Sequence, residues 1–108
     1  MSKINLTYDN VEYTLEYSRQ SVKIMEGQGF VLDEITSKPM TMLPMLFSGA
    51  FIKNHRGMKR NLIDEIFESI SNKGDLIAAL AEMYAETLSF LTEGNSSDEG
   101  NVVWAKVN

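Results

Sequence analysis

His55 is the only histidine of the chain, and cysteine is absent. Without cysteine there is no disulfide framework, thiol nucleophile or thiolate metal site. One imidazole and no thiolate argue against a structural zinc. A histidine general acid or base would have to be His55. It lies in the basic run KNHRGMKR, residues 53–60, with no carboxylate beside it. Asp64 and Glu65 are adjacent in sequence, so on a helix their side chains diverge. Asp98 and Glu99 fall in the polar stretch NSSDEG, which lacks the ligand ladder and terminal Glu of a calcium loop. The basic run could meet phosphate or nucleic acid, but it has no interleaved aromatic and no glycine-rich loop. Cations that follow a helix end also complement its dipole. These residues predict no enzyme, no cofactor and no metal, and so a chain that works by contact.

At 108 residues the chain is one domain, long enough for a core without metal or disulfide staples. It opens with polar residues and no apolar leader, and no run is long enough for a membrane helix. The expected compartment is the cytoplasm. Residues 1–60 hold eight Lys/Arg against six Asp/Glu (net +2), and residues 61–108 two against nine (net −7), within a total of −5. An acidic second half disfavours nucleic acid and suits either plain solvation or a basic protein partner.

The elements that must position any surface follow from patterning. The stretch 75–93, DLIAALAEMYAETLSFLTE, carries Leu76, Leu80, Met83, Tyr84, Thr87, Leu88 and Leu91 at helical spacing. Asp75 suits its N-cap and Gly94 its C′ position. This helix of about five turns needs a partner surface. Upstream, Ile4–Tyr8 and Val11–Tyr17 alternate, with Asp9-Asn10 between them, which predicts a hairpin. Two strands alone are marginal and must pack on helices or gain a third strand.

Ser18 caps a short helix to Glu26, with Ser21 in place of the usual Glu or Gln of a capping box. Gly27 or Gly29 ends it. Phe30–Ile35 is either a third strand or a loop. Residues 37–54, SKPMTMLPMLFSGAFIKN, form the apolar middle, where a helix either starts at Pro44 or kinks there. Met45–Ile52 is apolar nearly all round and should be buried, with Ser48, Gly49 and Ala50 allowing a close approach. Asn61–Ser71 is amphipathic through Leu62, Ile63, Ile66, Phe67 and Ile70. The tight connector Asn72-Lys73-Gly74 predicts an antiparallel helical hairpin with the long helix. The fold class is α+β: an N-terminal β-hairpin packed on about four helices, in one domain over residues 1–94. Residues 95–108 are a linker and a short β-prone tail. That tail can dock on its own domain, pair with a sheet edge, or be offered to another chain.

The seven methionines, with Met40, Met42 and Met45 near Phe47 and Phe51, suit core filling or an adaptable binding groove. The segments YTLEYSRQSVKIMEGQGF and KPMTMLPMLFSGAFIKNHR, the acidic helical stretch ending in LTEG, and the terminal GNVVW are quotable together. From about Tyr13 to Trp104 the chain resembles the small tail assembly chaperones of siphophages and prophages of Gram-positive bacteria. The resemblance implies a protein encoded just before the tape measure protein. It would bind that long helical protein in the host cytoplasm and keep it soluble while the tail tube assembles. It would use no ATP and be absent from the finished virion. The family supplies no motif residues, so the contact residues are physical expectations. Met45, Phe47 and Phe51 on the apolar helix and Val102 and Trp104 in the tail would form contact surfaces. Asp64, Glu68, Glu82 and Glu86 would steer a basic partner. Self-association into dimers or larger oligomers is expected on the same surfaces. The alternative is a small structural or connector protein of the virion.

Overall fold

In the computed structural model, residues 2–93 and 105–107 are described. Strand β1 (Ile4–Tyr8) pairs antiparallel with β2 (Val11–Leu15), in the register Ile4↔Leu15, Leu6↔Tyr13 and Tyr8↔Val11. Asp9 and Asn10 take φ of 52° and 65°, the left-handed pair that a two-residue turn needs to match strand twist. Ile4, Leu6, Tyr8, Tyr13 and Leu15 share the face turned to the core, with Leu15 fully buried.

Four helices follow: α1 (Arg19–Gly27), α2 (Pro39–Gly49), α3 (Arg60–Ser69) and α4 (Lys73–Glu93). The fold is α+β, as the patterning predicts. The capping box of α1 is complete. Ser21 N–H donates to Ser18 Oγ, and Ser18 N–H donates to Ser21 Oγ, so a serine does here what Glu or Gln usually does. Its other end is a Schellman turn. Gly29, at φ 99°, donates to Glu26 O, and Phe30 N–H reaches back to Met25 O. That turn drives Phe30 into the core. The chain then continues as one turn of 3-10 helix at Leu32–Glu34, so the third-strand alternative fails. Among the described residues the sheet has two strands.

Helix α2 starts at Pro39, and Pro44 lies inside it. Of the two alternatives, a start at Pro44 is therefore ruled out. Pro44 removes the donor that would meet the Met40 carbonyl, and Met40 is 89% exposed, so water can take that carbonyl's bond. Helix α4 begins two residues before the expected cap. Asn72 O accepts from Leu76 N–H, and Asp75 stands in the first turn, where it still meets the helix dipole.

Helix α2 is the hub. Helices α1, α3 and α4 all pack on it, and α3 and α4 each pack on α2 rather than along one another. Helices α3 and α4, joined by a short connector, are thus both braced on α2. Lys73, the first residue of α4, donates its Nζ to Glu68 O and Ile70 O and so caps the end of α3. Gly49 explains the close approach: a Cβ there would fall on the Met25 thioether.

The hairpin is fastened to the C-terminal end of α2. Tyr17 Oη donates to Leu46 O at 2.6 Å, and Glu16 N–H to Ala50 O at 3.0 Å. Both carbonyls lie where a helix runs out of its own donors. Burial pushes the Tyr17 phenol far above its ordinary pKa, so it stays a donor at any physiological pH.

Candidate interaction surfaces

Part of the basic run is tied into the fold, through Lys53, Asn54, His55 and Arg60. Lys53 Nζ lies 2.7 Å from Glu16 Oε2, and Asn54 Nδ2 donates to Glu16 Oε1 and to Thr14 O. The Lys53 hydrogen bond holds the Glu16 carboxyl below its ordinary value of 4.5, against a partial desolvation that pushes the other way. His55 Nε2 accepts from Thr14 N–H at 2.9 Å, a role only a neutral ring protonated on Nδ1 can fill. Arg60 pairs with Asp64 one helical turn on. His55 is thus a structural acceptor beside Tyr13 and Phe51. Among the described residues no three His, Asp or Glu gather as metal ligands would. No helix among them is long and apolar enough to cross a membrane.

The expected contact residues scatter. Phe47 and Phe51 are each 1% exposed, stacked edge-on at 5.1 Å in the centre of the core. They are not a surface: Phe47 packs against Phe67 of α3, and Phe51, just past the end of α2, packs against Tyr13 of β2 and His55. Met45 is half-buried beside them. Val102 and Trp104 lie outside the described residues, and Ala105–Val107 are exposed. Of the four carboxylates, Asp64 is paired with Arg60, and Glu86 accepts from the Ser2 N–H and hydroxyl. Glu68 and Glu82 are exposed, on different helices.

Two grooves replace the expected surface. One, of about 400 Å³, lies among the end of α1, the 3-10 turn and α4. Phe30, Val31, Leu32, Tyr84 and Leu88 line it, and Glu26 and Asp33 stand at its rim. Burial, with a smaller push from Glu26, raises the pKa of the Tyr84 phenol, so that ring stays neutral. The other groove, of about 460 Å³, runs along all five residues of β1 and is closed behind by Ile66, Ile70 and Leu76. Sequence reading missed the first groove because Phe30–Leu32 carries no helical period, while Tyr84 and Leu88 look like ordinary core stripe. The Gly-Gln-Gly-Phe run was the available signal: a Schellman turn commits Phe30 inward and leaves Val31 at the surface.

Fold and surfaces together define a small α+β protein with grooves along β1 and at the α1–α4 junction. Over residues 1–107 the chain matches a domain of unknown function, DUF5055, and it belongs to that family. No curated protein and no solved structure is significantly similar to it.

Proposed function

We propose that this protein is a phage tail assembly chaperone that holds the tape measure protein soluble by non-covalent contact. It would act in the host cytoplasm and leave before the virion is complete. The observation that carries the reading is the groove at the junction of α1, the 3-10 turn and α4. Its floor is apolar and aromatic, and its charged rim residues, Glu26 and Asp33, are both acidic. Such a groove suits the apolar face of an amphipathic helix with basic flanks. The resemblance of the α1 and α2 segments to tail assembly chaperones supports the same reading. The contact surface moves from Phe47 and Phe51 to Val31, Leu32 and Leu88.

Co-expression with the protein encoded immediately downstream tests it. A long helical protein that is insoluble alone should become soluble and co-purify with this chain. Val31→Asp should cut that capture about tenfold or more, the effect of a charge set into an apolar contact. Val31 is 44% exposed, so the circular dichroism spectrum should not change. A downstream protein that is soluble alone and does not associate would reject the reading. This chain would then be sought by mass spectrometry in assembled particles, where a connector protein belongs.

A further inference from the structure

The two edges of the sheet are treated differently. Tyr8 and Val11 close a two-residue turn and form a hydrogen-bonded pair, so pairs alternate from there. Thr7↔Glu12 and Asn5↔Thr14 are then non-bonded pairs, whose N–H and C=O groups point away from the partner strand. On β2 this is visible: Thr14 N–H goes outward to His55 and Thr14 O to Asn54. That edge is covered. On β1 the corresponding outward groups belong to Asn5 and Thr7. Among the described residues neither makes a backbone hydrogen bond to another element.

The open edge has the sequence INLTY. It contains no charge, no proline and no bulge, the devices that normally protect such an edge. It also borders the 460 Å³ groove backed by Ile66, Ile70 and Leu76.

We propose that β1 pairs antiparallel with β1 of a second copy, about a two-fold axis at Leu6, making one four-stranded sheet. In that register Asn5 faces Thr7 of the other copy, so the outward groups of both bond reciprocally. Leu6 meets Leu6, and Ile4 meets Tyr8, all on the face turned to the core. The flanking residues select the same register: Lys3 of each copy faces Asp9 of the other, placing opposite charges at both ends. The incoming apolar residues cover the groove. A second copy is the occupant because the strand is complementary to itself in length, polarity and end charge. The inference does not rest on the tape measure reading.

Sedimentation or light scattering of edge variants, with cysteine cross-linking, tests it. The wild-type chain should be a dimer that dissociates on dilution. Thr7→Pro removes an outward donor and none of the β1–β2 bonds, so it should be monomeric with an unchanged far-ultraviolet spectrum. Should that variant lose its spectrum, Asn5→Lys combined with Thr7→Lys decides, since it sets like charges across each new pair while Glu12 faces position 7 within the chain. It should weaken the dimer by about tenfold or more. Leu6→Cys, in a chain with no other cysteine, should cross-link to itself on oxidation. Asn5→Cys or Thr7→Cys should cross-link only when the two are mixed. A wild-type chain that stays monomeric to about 100 μM, a concentration at which a specific dimer is populated, would overturn the proposal. So would a dimer that survives both edge variants.

Discussion

Gly49 sets the distance between α1 and α2 with a single hydrogen atom. Gly49→Ala would gain about 1 kcal/mol of helix propensity and lose about 1–3 kcal/mol to overpacking against Met25. Urea unfolding should show a net loss of about 1 kcal/mol. Combining it with Met25→Ala should cost less than the sum of the two changes, since both act on the same space. Glu16 gives the pH counterpart. Its carboxyl is held below its ordinary value in the fold, so its contribution is complete above about pH 5 and is lost as pH falls through the depressed folded value. Glu16→Gln should therefore lower stability at neutral pH and flatten the acid limb of a stability–pH curve, so that the two curves converge at low pH. At this scale the sequence was partly legible. The smallness of Gly49 announced a close approach, and the basic run announced a helix end. That His55 accepts from Thr14 could not be read, because the partners are far apart in sequence and only folding makes them neighbours.

Among the elements, α2 carries the most. Phe47 and Phe51 read as candidate contact residues because α2 is apolar nearly all round, and such a pattern does not say which side stays bare. The fold answers that, with Phe67 of α3 against Phe47 and Tyr13 of β2 against Phe51. Phe47→Ser with Phe51→Ser should unfold the protein, since each costs about 3–5 kcal/mol against a typical total of about 5–15 kcal/mol. Circular dichroism would show lost helix rather than lost capture alone. Tyr17→Phe isolates the attachment of the hairpin. It leaves the Leu46 carbonyl without its donor and should cost about 1–2 kcal/mol in urea unfolding, with the native spectrum retained. The hairpin and its turn were legible because Asp9-Asn10 tolerates positive φ and the flanks alternate. The place of the hairpin on the helix end was not, since it depends on backbone carbonyls that have no sequence signature. The bracing of α3 and α4 on α2 was not legible for a related reason. A short connector implies neighbours but does not say which third element both will pack on.

For the whole molecule, the uneven charge matters most. The acidic residues of 61–108 sit on α3 and α4 and in the segment beyond, while two of the four basic residues of 53–60, Lys53 and Arg60, are tied to Glu16 and Asp64. The net field toward a partner is therefore negative. Capture of a basic helical segment should slow in its association step as salt rises from about 0.05 to 0.5 M, with dissociation changing less. Stopped-flow or surface binding at a salt series would measure it.

The unequal treatment of the two sheet edges should also be written in the rate at which backbone amides trade protons for deuterons. Thr14 and Glu16 are held by His55 and Ala50, across the seam that joins hairpin to helices. Their protons should leave only when the entire domain opens. Asn5 and Thr7, on the neighbouring strand of the same small sheet, should exchange near the open-chain rate in dilute protein. In concentrated protein they should become slow, so those two amides would report the arrival of a second molecule residue by residue.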